Sequence, residues 1–171
     1  QEEVSIFIIF TLLITAFILF LFFRSFKAAI ASMVVVIVGV IWAFGTITLF
    51  DYEISILMAL VPPVLIVIGI PNCIFLINKF HNEFKEHQNK VLALKRMVLK
   101  IGNITLLTNL TTASGFAAFM LTKSQTLQEF GTIAALNILG IFLLSLFIIP
   151  IFFSFANPPK SRHTQHLDKK W

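Results

Sequence analysis

The stretch from Ile54 to Phe80, ISILMALVPPVLIVIGIPNCIFLINKF, decides the fold. Residues 54–78 carry no charged side chain, and the apolar block ends abruptly at Lys79. A helix needs roughly 20 mostly apolar residues to cross about 30 Å of hydrocarbon. The block therefore predicts a membrane-spanning helix, although Pro71 and Asn72 are unusual residues for its interior.

Four further blocks of this kind occur in the chain. The five blocks cover residues 4–23, 28–50, 54–78, 101–121 and 130–155, and none contains Asp, Glu, Lys, Arg or His. The chain is 58% hydrophobic and 12% charged, whereas a soluble domain usually carries about 25% charge. A buried helix of a soluble protein would also need a charged outer face. We therefore predict an all-α polytopic membrane domain of five helices over residues 1–156, followed by a cytoplasmic tail over residues 157–171.

The basic residues between the blocks set the predicted orientation. All of them except Lys123 lie after the first block, between the third and fourth blocks, or after the fifth, which is one side of the membrane. Cytoplasmic segments are enriched in Lys and Arg. This places the N-terminus outside and the C-terminus in the cytoplasm. The positive charge then reflects topology and anionic lipid headgroups, and we predict no nucleic-acid binding.

The connector between the third and fourth blocks, residues 79–100, is predicted to be an amphipathic helix along the cytoplasmic membrane surface. Val91, Leu94 and Val98 recur in it at spacings of three and four. A solvated helical linker is the alternative. The lone Cys73 excludes an internal disulfide and a cysteine-rich metal site. We predict no metal and no cofactor.

Polar side chains concentrate in the fourth block, IGNITLLTNLTTASGFAAFML. Thr105, Thr108, Thr112 and Gly115 recur at spacings of three and four, which places them on one stripe of a helix, with Asn109 nearby. Such a stripe is expected to face protein or a water-filled path rather than lipid. Close helix packing, with hydroxyls bonded to the preceding carbonyls, is one interpretation, and a substrate or proton path is the other.

The third block should be bent or broken, because it contains Pro71, Gly69 two residues earlier, and Pro62-Pro63 a few turns before. Pro71 has no amide hydrogen, and its ring displaces the carbonyl of Val67. The nearest side chain that could donate to a freed carbonyl is Asn72. Broken helices line sites in many transporters, and a plain kink is the alternative. The candidate transport or kink site comprises Gly69, Pro71, Asn72, Thr108, Asn109, Thr112 and Gly115.

Three motifs carry a resemblance to a known superfamily. They are GIPNCIFLINKF in the third block, TNLTTASGFAAF in the fourth, and Gln128-Glu129-Phe130-Gly131 at the junction with the fifth. Their order and spacing resemble the resistance-nodulation-division (RND) superfamily. The chain is most similar to its hydrophobe/amphiphile exporter branch, which is related to the MMPL lipid transporters and to proteins with sterol-sensing domains. Glu129, Phe130 and Gly131 are the family-motif residues.

The resemblance implies a twelve-helix protein built from two similar halves, of which this chain would match helices two to six of one half. It implies outward transport of hydrophobic or amphiphilic compounds or lipids, driven by protons, in a bacterial inner membrane. The implied partners are membrane lipids, the substrate and the remaining half of the same chain, with a homo-oligomer as a further option. In one respect the chain departs from the pattern: Pro71 and Asn72 stand where proton-driven members carry aspartates.

Two functions follow from these observations. The first is the membrane part of an RND-type exporter, whose proton coupling would come from the other half or from water held by Asn72, Thr108 and Thr112. The second is a sterol-sensing-like module that binds lipid and regulates a partner without transport. An intramembrane enzyme is not expected, because it would need acids or histidines at membrane depth.

Overall fold

Helices make up the regular structure of this computed structural model, which describes residues 6, 9–10, 26–53 and 55–155. The described helices are α1 (Phe26–Leu49), α2 (Ile56–Ala59), α3 (Val61–His87), α4 (Lys90–Ala117) and α5 (Gln125–Phe155), with a 3₁₀ turn over Ala118–Leu121. The all-α membrane fold is confirmed, since four helical segments of the described part are long and apolar enough to cross a membrane. The first predicted helix, 4–23, and the tail, 157–171, lie outside the described residues, apart from residues 6, 9 and 10.

The structure contradicts the predicted surface helix over residues 79–100. α3 continues to His87 and α4 already begins at Lys90. Between them, Gln88 adopts a left-handed conformation with φ 49°, and the side chain of Asn89 caps α4 by accepting a hydrogen bond from the Leu92 amide at 3.1 Å. The connector is thus a tight turn joining two long helices. The Lys79–Glu83 ion pair, one turn apart along α3, favours helix at this charged end, an effect that hydropathy does not register.

The break predicted in the third block falls just before Pro62 and Pro63, and the helix is not broken at Pro71. α3 is continuous through Pro71, and the break falls at Leu60, between α2 and α3. Pro62 and Pro63 occupy the first turn of α3, where the amide hydrogens that proline lacks have no helical acceptor. The third predicted block is therefore a short helix followed by a long one.

Helix α5 packs against α1, α3 and α4 and forms the centre of the bundle. Its Ile141 side chain lies between two glycines of neighbouring helices. A Cβ atom added to Gly39 of α1 would lie 2.9 Å from Ile141 Cδ1, and one added to Gly69 of α3 would lie 2.5 Å from the same atom. Gly69 therefore acts in helix packing, since small residues let helices approach closely in a membrane.

Relative to Gly45→Ala, replacing Gly69 with alanine should lower the free energy of unfolding by about 1 kcal/mol, the lower end of the overpacking range, because the atom it meets is the movable tip of a side chain. The control is Gly45→Ala, since an added Cβ there has no atom of the described residues within 4 Å. Thermal unfolding in detergent measures both. In a protein that already carries Ile141→Val, which lacks Cδ1, Gly69→Ala should lower the free energy of unfolding by less. A Gly69→Ala loss that Ile141→Val leaves unchanged would contradict this contact.

Candidate functional site

A groove of about 470 Å³ lies between α3 and α4. It places together five of the seven candidate site residues: Pro71, Asn72, Thr108, Asn109 and Thr112. The other two lie elsewhere. Gly69 contacts Ile141 in the helix core, and Gly115 is exposed, with no described residue within 4 Å of an added Cβ. The remaining groove residues are mostly apolar: Val67, Ile68, Phe75, Ile101, Ile104 and Thr105.

Two asparagines form a reciprocal amide pair in the groove. Asn72 Nδ2 donates to Asn109 Oδ1 at 3.1 Å, and Asn109 Nδ2 donates to Asn72 Oδ1 at 3.0 Å. Asn109 Nδ2 also donates to the Thr105 carbonyl at 2.7 Å. Both residues are buried, with 5% and 2% of their surfaces exposed. Asn72 is the predicted donor to a carbonyl freed by Pro71, but its amide crosses to α4 and fixes the two helices against each other.

The threonines of the groove direct their hydrogens into their own helix. Thr105 Oγ1 donates to the Ile101 carbonyl at 2.8 Å, Thr108 Oγ1 to that of Ile104 at 3.0 Å, and Thr112 Oγ1 to that of Thr108 at 2.9 Å. Thr105 is buried, whereas Thr112 is half-buried and Thr108 is exposed. These hydrogen bonds within α4 match the packing interpretation. However, Thr108 and Thr112 are not covered by a described neighbouring helix and face the groove. Each hydroxyl oxygen retains acceptor capacity toward the groove.

The groove has hydrogen-bonding groups but no ionisable ones. Its polar members are amides and hydroxyls. Asn72 and Asn109 do not titrate, so neither can carry a proton as a buried carboxylate does. The groove can therefore bind and orient an apolar or weakly polar molecule, and none of the described side chains that line it titrates as a carboxylate does.

A second polar feature surrounds Glu83, near the end of α3, and it is absent from the sequence predictions. The Glu83 side chain is buried, and its Oε1 lies 3.0 Å from Lys79 Nζ and 3.0 Å from Lys100 Nζ. Its Oε2 lies 3.3 Å from Arg96 Nη1 and 3.5 Å from His87 Nε2, and Arg96 Nη1 also contacts His87 Nε2. We call these five residues the Glu83 cluster. Its sequence signal was the spacing of four from Lys79 to Glu83 and again to His87.

The cations hold Glu83 in its charged form. It lies beyond the apolar block that ends at residue 78. Lys100 and Arg96 donate hydrogen bonds to its carboxylate and Lys79 Nζ lies 3.0 Å from Oε1, contacts that favour the charged form. Glu83, Glu86 and His87 have the residue types of a metal site. However, Lys79, Arg96 and Lys100 occupy the oxygens of Glu83. This surplus of positive charge does not suit a divalent cation.

The family-motif residues connect α5 to the end of α4. A Cβ added to Gly131 would lie 2.7 Å from the Phe116 backbone oxygen and 2.8 Å from Phe119 Cβ. The Phe130 ring packs against Phe116, with their centroids 5.8 Å apart. Glu129 Oε1 accepts a hydrogen bond from Gln125 Nε2 at 2.8 Å at the surface. Phe130 and Gly131 are therefore packing residues and lie outside the groove.

Comparisons with known proteins agree with this architecture. The family model described as the MMPL family matches residues 1–170. The chain is 26% identical over 133 residues to "Putative membrane protein MJ1562" of Methanocaldococcus jannaschii, an alignment that covers 78% of the chain and 34% of that protein. The matched region thus spans about a third of the relative's length. No solved structure matches the chain.

Proposed function

The chain belongs to the MMPL family of membrane transporters, and from this membership and the groove between α3 and α4 we propose that it forms part of a secondary transporter that exports hydrophobic or amphiphilic compounds or lipids. We further propose that it lies in a bacterial inner membrane, with its N-terminus outside and its C-terminus in the cytoplasm, as the distribution of basic residues indicates.

The observation that carries this proposal is the composition of the groove. Its volume of about 470 Å³ falls in the range of about 300–1,000 Å³ that is usual for small-molecule sites. Apolar side chains form most of its wall, while the amide pair and Thr108 supply a few hydrogen-bonding groups. This pattern suits a molecule that is largely hydrocarbon with a small polar part.

In our proposal the side chains of the groove do not themselves carry the protons that drive transport. The five apolar blocks contain no Asp, Glu, Lys, Arg or His. Protons would therefore have to be carried by the remaining half of the full-length protein, or along water held by Asn72, Thr108 and Thr112. An aspartate in the equivalent helix of the other half would support proton coupling through that half.

A bulky substitution in the groove tests the proposal. Thr108→Phe should fill the groove and reduce transport several-fold, measured as efflux of a fluorescent amphiphile from vesicles that contain the full-length protein. Thr111→Phe is the matched control, because Thr111 is an exposed threonine of the same helix outside the groove, and its hydroxyl likewise donates to a backbone carbonyl. Equal transport by both folded variants would contradict a substrate path through the groove.

The second candidate function is a sterol-sensing-like module that binds lipid and regulates a partner. The groove favours it in one respect, since its polar groups are amides and hydroxyls and none can carry a proton. Proton flux through purified full-length protein in vesicles separates the two functions. A transporter driven by protons should acidify the vesicle lumen or deplete it of protons when substrate is present, and a sensor should leave the internal pH unchanged.

A further inference from the structure

The Glu83 cluster lies next to one end of the groove. Lys79 follows the groove residue Phe75 by one turn of α3, and Lys100 precedes the groove residue Ile104 by one turn of α4. Because Lys79 and Lys100 both contact the same Glu83 oxygen, they meet across the two helices. An apolar groove therefore leads directly to a group of cations.

The cluster has more positive charge than its own acid can neutralise. Lys79, Arg96 and Lys100 share the single carboxylate of Glu83. Helices α3 and α4 and the turn between them form a helical hairpin. Its other acid, Glu86, has a side chain that is 69% exposed, and its Oε1 lies 3.9 Å from His87 Nε2. The side chain of Lys100 is 54% exposed, although its Nζ contacts Glu83. A lysine of this kind can turn toward an anion from outside while the other cations keep Glu83 paired.

We propose that this hairpin binds one anionic phospholipid, with its phosphate at Lys79, Arg96 and Lys100 and one acyl chain in the groove along Phe75 and Ile104. Charge complementarity identifies the occupant, because the groove suits hydrocarbon and the adjacent cations require a negative headgroup. In the proposed orientation the cations lie at the cytoplasmic leaflet, which is where anionic lipids attract basic side chains. The inference rests on the proposed function in that the same groove receives an amphiphile.

Cross-linking at two positions of α4 tests the proposal. A photoreactive benzoylphenylalanine would replace Ile104, which lines the groove, or Leu107, which is similarly exposed at 64% but lies outside it. The full-length protein is placed in nanodiscs of phosphatidylglycerol and phosphatidylcholine, with one lipid labelled at a time. We expect the ratio of cross-linked phosphatidylglycerol to phosphatidylcholine to be about fivefold higher at position 104, the factor expected for one lysine acting on an anionic headgroup.

Charge variants assign the selectivity to the cluster. Lys100→Gln should lower the ratio at position 104 toward the value at position 107. Lys95→Gln should leave it unchanged, because Lys95 is an exposed lysine of the same helix with no contact to the Glu83 cluster. Glu83→Gln should raise the ratio, because it releases the cations from their internal acid. This rise is opposite to what a loss of structure would cause.

Several results would overturn the inference. They are equal ratios at positions 104 and 107, equal effects of Lys100→Gln and Lys95→Gln, a fall with Glu83→Gln, or cross-links at position 104 to protein in place of lipid, which would mean that another helix covers the groove. If selectivity is absent while Thr108→Phe still blocks transport, the phospholipid site fails and the proposed function stands. If selectivity is present while Thr108→Phe transports normally, the phospholipid site stands and the proposed substrate path fails.

Discussion

Replacing Gly131 with alanine should lower the free energy of unfolding by about 3 kcal/mol, the upper end of the overpacking range, because the new methyl group would meet a backbone atom that cannot move aside. The Phe116 carbonyl oxygen would lie 2.7 Å away, and that oxygen belongs to the last turn of α4. The expected outcome is a large fall in the thermal unfolding temperature of the detergent-solubilised protein.

The matched control for this change is Gly115→Ala. Gly115 precedes Phe116 in the same turn, but an added Cβ there would have no neighbour within 4 Å in the part of the chain that the structure describes. Alanine is favoured over glycine in a helix interior by about 1 kcal/mol, so this variant should be neutral or slightly stabilised. A Gly131→Ala protein as stable as Gly115→Ala would show that α5 does not approach α4 this closely.

A double-mutant cycle on the amide pair should give the other large effect. Asn72→Leu alone leaves the buried Asn109 Oδ1 without its donor. Asn109→Leu alone likewise leaves the buried Asn72 Oδ1 without its donor. A buried polar group left unpaired costs about 1–3 kcal/mol, and the largest hydrogen bonds measured between membrane helices reach about 1.7 kcal/mol. We therefore expect each single variant to lose about 1–2 kcal/mol.

The double variant Asn72→Leu/Asn109→Leu should recover most of that stability, because it leaves neither amide unpaired. Additive losses in thermal unfolding would contradict the reciprocal pair. Transport is the second measurement. A double variant that is stable but inactive would give the amides a role in the transport cycle, whereas a stable and fully active one would restrict them to holding α3 against α4.

The sequence was sufficient for the fold class, because the apolar blocks are long and free of charge. It also selected five of the groove residues, since Asn72, Thr108 and Thr112 stand out as polar positions in hydrocarbon. The pairing of Asn72 with Asn109 was not predictable. The two residues are 37 positions apart in the chain, and their contact depends on how α3 and α4 are aligned against each other. Periodicity alone likewise could not separate Gly69, which packs against Ile141, from Gly115, which no described residue approaches within 4 Å of an added Cβ.

The charged ends of the helices explain the remaining differences. Hydropathy ends the third block at residue 78, whereas α3 continues to His87, and the Lys79–Glu83 ion pair one turn apart favours this continuation. The burial of Glu83 requires Arg96 and Lys100, which reach it only when α4 folds back beside α3. Hydropathy along the chain treats each of these residues as solvated.

The tight turn at Gln88 and Asn89 brings α3 and α4 side by side, and the contacts between the two helices restrict how they can move. The amide pair at Asn72 and the ion pairs at Glu83 fasten α3 to α4 at two levels, about 16 Å apart along the helix axis at 1.5 Å per residue. Neither helix can slide along the other without breaking a buried contact. Any gating motion that preserves both sets of contacts must therefore move α3 and α4 together as one rigid body. This body would pivot where Gly69 of α3 packs against Ile141 of α5.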